Sequence, residues 1–428
     1  MKDLFELLYQ CSGVSTDTRT VKKGELFIAL KGDNFNGNEY AQQAIDSGAN
    51  FSVVDEINYA DNQKIFYVEN GLTFLQKLAA FHRKKFNIPV LGITGSNGKT
   101  TTKELVVAVL SKKFNVLYTE GNLNNHIGVP LTLLRLKNIH EIAIVEMGAS
   151  HVGDIKELTD IAHPTHGIIT NIGTAHIEGF GSQENIVKTK TELYQAIQEQ
   201  KGHIFYNIDD EILKNNLPND CSYSTYGVNT NGEITGKLEN LTPEVNFSWK
   251  KEGYQSGIVK THIIGKYNLY NLLASVCIGN LFEIEINQIN EALRNYIPKN
   301  NRSQLEITPS NKVVLDAYNA NPTSVRVALD SFNEMEGENK FFILGDMLEL
   351  GENTSTYHQE IIDLTKNMEL QGIFIGEIFA GLADKNDILS FKNTQEAKDF
   401  LQTASPKGNL ILLKGSRGIG LEKLMDIL

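Results

Sequence analysis

The chain has 428 residues, 41% of them hydrophobic and 21% charged, and a formal net charge of −12. That length exceeds one compact core and points to about two to four domains, while the acidic balance argues against a surface built to grip nucleic acid. Three cysteines, Cys11, Cys221 and Cys277, are odd in number and widely spaced, which suits a reducing compartment, fits neither a disulfide framework nor zinc spacing, and casts them as buried apolar fillers.

The opening MKDLFELLYQ mixes charged and apolar residues and lacks the apolar centre of an export signal. The best candidate for a membrane span, 269–282, is short and interrupted by Asn271, Ser275 and Asn280. A cytoplasmic protein is expected, with no membrane span and no nucleic-acid partner. Residues 14–51 run through short strand-like pieces such as 25–30, glycine and asparagine turns, and a helix near 40–47, together a small α/β unit. An amphipathic helix over 72–86 closes this unit, and Pro89 opens the next strand, so a first domain is placed at 1–87.

The middle block, 88–299, alternates β-rich runs at 90–93, 141–147 and 167–171 with helical patterns, the rhythm of a mostly parallel sheet. Its first strand runs into GITGSNGKTTTKE (92–104). Gly95 and Gly98 can take positive φ and carry no Cβ, so backbone N–H groups can converge on an oxyanion while Lys99 supplies a mobile positive charge. The strict phosphate-loop pattern asks for glycine where this chain has Ile93, so the core GSNGKT alone survives. Strand, loop and helix nonetheless follow in the order phosphate binding needs, and a magnesium-ligand role is open to the Thr100 hydroxyl.

Glu146 closes the apolar run 142–145, so its carboxylate projects from a buried strand end, either as a magnesium ligand or as a cap on the next helix. His176 lies in a glycine-containing segment just after the strand at 167–171. The helix expected over 184–199 has an apolar stripe of Ile186, Leu193 and Ile197, with Val187 and Tyr194 alongside, and Lys190 sits within it. Such a lysine must snorkel, pair (Glu192 is near in sequence), or lose its proton; a neutral amine could also add carbon dioxide and become a carboxylate, a second metal ligand opposite His176. Lys188 falls off the stripe. In a parallel sheet, ligands bind at the carboxyl ends of strands, so Lys99, Glu146 and His176 are expected to face one crevice.

The polar stretch at 297–301 reads as a linker, with 298–302 expected to act as a hinge. Beyond it, over 300–428, strands at 312–316, 341–344, 372–375 and 410–413 alternate with helices, a second and smaller doubly wound fold.

The segments GITGSNGKTTTKE, NLNNHIGVPLTLL (122–134), VEMGASHVGDI (145–155), AHIEGFGS (175–182) and KTKTEL (188–193) resemble the Mur ligases in their established order. DAYNANPTS (316–324), LGDMLELG (344–351) and LLKGSRG (412–418) are similar to the MurF branch of that family. The resemblance covers nearly the whole chain. It implies an α/β architecture of three domains: a small N-terminal uridine-diphosphate-binding domain, a central phosphate-loop ATPase domain with a mostly parallel sheet, and a C-terminal Rossmann-like domain. It implies a ligase of peptidoglycan precursor synthesis that uses ATP and magnesium to join UDP-N-acetylmuramoyl-tripeptide to D-alanyl-D-alanine through an acyl phosphate; a monomer is expected.

Position by position, the resemblance implies that Gly95, Ser96, Asn97, Gly98, Lys99, Thr100 and Thr101 cradle the ATP phosphates. Thr100 and Glu146 would hold one magnesium, and His176 with carbamylated Lys190 the second. Asn271, Arg302, Asp316 and Asn319 would meet the nucleotide. Ser15, Thr16, Asp17 and Arg19, with Asn124, Asn125 and Asn321, would serve the other substrates. The chain departs from the family pattern at Tyr267, where histidine is common, and at Asn36-Gly37-Asn38, where aspartate-glycine-histidine is common. Two rivals are a related amide ligase, such as folylpolyglutamate synthase or the ligase adding the third peptide residue, and a nucleotide-binding regulator. NLNNHIGVP and YNANP disfavour the first. Glu146, His176 and Lys190 together disfavour the second.

Overall fold

The computed structural model describes residues 2–61, 63–299, 301–337 and 339–428. Asn300, inside the expected hinge, lies outside the described residues. Three principal sheets follow one another along the chain. The first has four parallel strands in the order Val14–Ser15, Leu26–Ile28, Phe51–Val54, Ile65–Tyr67, flanked by the helix Gly71–Arg83.

The central sheet has ten strands. Its parallel part places Val90–Thr94 between His166–Ile169 on one side and Ile142–Glu146 on the other. Val90–Thr94 and Ile142–Glu146 are buried along their whole length, which is why both read as nearly unbroken apolar runs: helices cover both faces of a parallel sheet. The helix Gln183–Glu199 starts at Ser182, whose hydroxyl accepts the Asn185 N–H. It lies tight on the sheet because Gly92 has no side chain; a Cβ there would come within 2.9 Å of Leu193 Cδ1. The stripe Ile186, Leu193, Ile197 and Tyr194 is buried, and Lys188 is exposed.

The far side of this sheet was not anticipated. Ile234–Leu241, Glu244–Lys251, Tyr254–Gln255 and Val259–Ile264 extend it as an antiparallel ribbon. The apolar run near 269–282 forms the helix Asn268–Leu281, almost wholly buried, and no described helix is long and apolar enough to cross a membrane.

In the third sheet the order is Gln304–Ile307, Lys312–Asp316, Leu410–Lys414, Lys340–Gly345, Gln371–Ile375, Ser390–Phe391, parallel except for the first strand. Buried apolar clusters cross between the sheets. One joins Leu26, Val53 and Phe74 to Val90, Leu133 and Val145; another joins Leu105 and Leu272 to Leu329 and Phe342. The cysteines correct one expectation: all are free, but only Cys277 is fully buried, while Cys11 and Cys221 are half-buried and pack at the edge of an apolar cluster.

Candidate active site

The three adjacent central strands deliver the expected side chains to one crevice of about 710 Å³, lined among others by Lys99, Glu146, His176, Asn271 and Arg302. Gly95 takes φ +144° and Gly98 φ +80°. A Cβ on Gly95 would lie 1.9 Å from Thr170 Oγ1, so no other residue lets the loop press against the neighbouring strand. Ser96 exchanges hydrogen bonds with the Gly173 backbone, its Oγ accepting from N–H at 2.8 Å, and Asn97 N–H donates to Asn171 Oδ1 at 3.1 Å. The loop is thus set from behind, with its helix Lys99–Leu110 starting at Gly98, a ready anion site. Ser96, Thr100 and Thr101 line the crevice with it.

Lys99 folds back onto its own loop, Nζ donating to Gly95 O at 2.7 Å and Ser96 O at 3.2 Å. Loss of water around the ammonium, reinforced by the Arg302 charge and opposed by Glu146, brings its pKa down to about 8.

Glu146 is 1% exposed. One oxygen accepts from Thr100 Oγ1 at 3.0 Å and Asn124 Nδ2 at 2.7 Å; the other, Oε2, is buried without a hydrogen-bond partner among the described residues. The next helix is preceded by Gly153, not Glu146, so the helix-cap alternative fails. A buried carboxylate oxygen with no donor, beside a hydroxyl and facing a phosphate loop, is a hard-oxygen donor set with room for a small divalent cation. The residues present therefore fit magnesium. No cluster of three or more His, Cys, Asp or Glu suited to a metal occurs among the described residues, so phosphate oxygens and water would supply the remaining ligands.

Lys190 is 2% exposed. It does not line the crevice but lies close enough for its charge to act on His176. Burial, then the like charge of Lys99, holds its amine well below the ordinary range, with Asp154 opposing. The expected pair with Glu192 does not form: Glu192 Oε2 instead accepts the Lys156 N–H at 2.8 Å. Residues two apart on a helix point to different sides. His176 has φ +57°, and its Nδ1 lies 2.5 Å from Glu349 Oε2, brought from the third sheet's domain. Burial lowers its pKa, with Glu349 opposing.

Around the far wall, Asn271 Oδ1 accepts from Thr102 Oγ1 at 3.1 Å, and the Arg302 guanidinium stacks on the Tyr318 ring at 3.6 Å. Asp316 accepts from Lys414 Nζ at 2.7 Å, and Asn319 is exposed at the rim. Tyr267 donates or accepts at Ser303 Oγ, 3.0 Å away. Asn321 is buried and committed: Oδ1 accepts the Ser324 N–H as a helix cap, and Nδ2 donates to Asn97 Oδ1 at 2.9 Å, tying the third sheet's domain to the phosphate loop. Asn125 Oδ1 accepts from Gly128 N–H at 2.9 Å, in the turn that leads into the helix Gly128–Leu133.

Ser15, Thr16, Asp17 and Arg19 do not line this crevice. They form a turn after the first strand, in which Ser15 Oγ donates to Asp17 O and Arg19 pairs with Asp17 at 2.7 Å. Asn38 is buried and donates to Asp55 Oδ1 at 2.7 Å, a structural use. Sequence reading gave no role to Asp154, Tyr318, Lys414 or Glu349. The signal for Glu349 was present in LGDMLELG, but its partner lies 173 positions away.

Three family descriptions match the chain: Mur ligase family, catalytic domain over 10–83, Mur ligase middle domain over 93–279, and Mur ligase, glutamate ligase domain over 302–417. The UDP-N-acetylmuramoyl-tripeptide--D-alanyl-D-alanine ligase of Bacillus subtilis is 36% identical, over 96% of this chain and 92% of that protein. The enzyme of the same name from Escherichia coli is 30% identical over 97% and 93%. Among solved structures, MurF from Acinetobacter baumannii superposes with a TM-score of 0.89 at 28% identity, covering 99% of this chain and 97% of that one. MurF from Thermotoga maritima in complex with ADP gives 0.87 at 27% identity, with the same coverage.

Proposed function

The chain belongs to the Mur ligase family, and from that premise we propose that it is the ATP-dependent ligase joining D-alanyl-D-alanine to UDP-N-acetylmuramoyl-tripeptide in peptidoglycan precursor synthesis, acting in the cytoplasm as a monomer. The observation that carries this reading is the meeting, in one crevice, of a phosphate loop, a buried carboxylate with an unpartnered oxygen, and a histidine backed by a buried amine. Relatives bearing that activity's name match along nearly the entire chain.

The chemistry passes the terminal phosphoryl group of ATP to the tripeptide carboxylate; the amine of the dipeptide then attacks the acyl phosphate and releases phosphate. No residue need act as a covalent nucleophile. The chain's contribution is electrostatic stabilisation and alignment. Backbone N–H groups of 95–101 hold the phosphates, and Lys99 uncurls from Gly95 O to neutralise the moving group. Thr100 and Glu146 would hold one magnesium, with His176 and Lys190 as its carbamate holding a second; bound there, magnesium supplies positive charge to the phosphoryl oxygens. Burial lowers the pKa of Lys190, and the unprotonated amine is the form that can add carbon dioxide. Arg302, Asp316, Asn319 and Asn271 would receive the nucleoside. Asn321 serves by fixing the loop 316–324 over the phosphate site, leaving its neighbours to meet the dipeptide. Asn124 serves by aiming Glu146, and the turn 15–19 would take the uridine diphosphate. Seating of the C-terminal domain, about a hinge at 298–302, would exclude water from the acyl phosphate.

The test is phosphate release from ATP. Release should require both the UDP-linked tripeptide and D-alanyl-D-alanine; release indifferent to either would reject the ligase and favour a nucleotide-driven regulator.

A further inference from the structure

We propose that Glu349 is a positioning residue, carried in by the C-terminal domain, that locks the ring of His176 with Nε2 free, so that the histidine side of the site is complete only when that domain is seated. This rests on the reading of the crevice given above. Glu349 Oε2 is 2.5 Å from His176 Nδ1. An ionised carboxylate only accepts, so the shared proton belongs to Nδ1. In the neutral ring Nε2 then keeps its lone pair, the state in which a histidine takes a cation or orients a water. No other hydrogen bond to this ring occurs among the described residues.

The Glu349 side chain is 63% exposed and that of His176 30%, and an exposed ion pair alone contributes little. Its weight comes from the loop that presents it. Met347 N–H donates to His358 Nε2 at 3.0 Å, and the buried His358 ring is itself fixed at Nδ1 by Thr354 O at 2.7 Å. Leu348 N–H donates to Ser416 Oγ at 3.0 Å. Asp346, just before, accepts the N–H groups of Ile378 and Phe379 at 2.9 and 3.0 Å. Glu349 and Gly351 both take positive φ, +63° and +61°, which turns the loop against Glu178 in the short helix after His176. Besides the Asn321–Asn97 bond, Thr174 Oγ1 to Thr323 Oγ1 at 3.0 Å joins the same two domains nearby. The carboxylate is therefore delivered to Nδ1 by a braced loop, and domain opening would remove it.

The experiment compares the full-length wild type with Glu349→Ala and Glu349→Gln. Long-range proton–nitrogen spectra of histidine-labelled protein near pH 8, without substrates, report the His176 tautomer; the ring is assigned by its loss in His176→Gln. The wild type should show Nδ1–H, Glu349→Ala a mixture of tautomers, and Glu349→Gln, whose amide oxygen still accepts, the wild-type pattern. In parallel, the magnesium concentration for half-maximal phosphate release should rise roughly 10-fold to 100-fold in Glu349→Ala, with recovery in Glu349→Gln and an unchanged KM for the UDP-linked tripeptide. Tautomers and magnesium dependence identical in the wild type and Glu349→Ala would overturn the proposal. A wild type that releases no phosphate with both substrates would refute the ligase reading instead, while the tautomer comparison would still decide the role of Glu349.

Discussion

The surroundings of Lys103 and Lys190 differ in kind, although both lysines ride helices packed on the central sheet, at 0% and 2% exposure. Lys103 Nζ donates to Thr119 O at 2.7 Å and pairs with Glu104 at 2.8 Å. Lys190 makes no hydrogen bond or ion pair among the described residues; it has the Phe180 ring 5.8 Å away and the repelling charge of Lys99. Burial is common to both, so burial alone does not make a lysine reactive. What separates them is whether the amine of a buried side chain has direct partners for its protons and its charge. Lys103 does, and braces the fold. Lys190 does not, and burial with the like charge of Lys99 lowers its pKa beside the crevice.

The largest effect expected from this contrast is on catalysis. Lys190→Ala should lower ligation at least about a thousandfold, the scale of losing a group that stabilises developing charge. A small carboxylate added to the assay should restore part of it. Full activity in Lys190→Ala would break the comparison.

Stability should respond with opposite signs. Lys103→Met strands Thr119 O and Glu104, and should lower the unfolding free energy by about 2–4 kcal/mol. Lys190→Met removes a buried amine that makes no ion pair or hydrogen bond among the described residues and should leave stability unchanged or raise it by about 1 kcal/mol or more. Urea titrations of the two variants read this directly; two losses of equal size would show that both lysines are structural.

His166 extends the comparison to a weaker base and the smallest effect. Burial, then the neighbouring His203, brings its pKa down to about 4. The unfolded chain would bind a proton there near the ordinary value of about 6.5, so between 6.5 and 4 it holds more protons than the folded state. Stability from this group is complete above 6.5 and is lost as the pH falls toward 4. His166→Gln should flatten the dependence of the melting temperature on pH across that window. An unchanged slope would mean that burial of a base without a counter-charge has no thermodynamic cost here.

The parts of the site legible in the sequence are those fixed by local pattern. GSNGKT announced its turn, the apolar run before Glu146 announced a buried strand end, and the spacing of Ile186, Leu193 and Ile197 turned Lys190 inward. Other features stayed hidden because their partners are remote in the chain. Glu192 is close to Lys190 in sequence yet bonds to Lys156. Asn321 resembled a substrate contact, and its side chain is spent on Ser324 and Asn97. Glu244–Lys251 does carry a two-residue period, Val245, Phe247 and Trp249, all buried; in Ile234–Leu241 the register shifts between Leu238 and Asn240, and no local pattern says that this ribbon joins the central sheet.

By itself the sequence determined the phosphate loop, the alternation of strands and helices around it, and which side chains had to leave water, since helix and strand periodicity act over a few residues. Only the tertiary structure decided which buried groups found partners: Lys103 did and Lys190 did not, Glu146 kept one oxygen unpartnered, and His176 met Glu349 from another domain. Pairing depends on distances through space between segments far apart along the chain, and no local pattern encodes those distances.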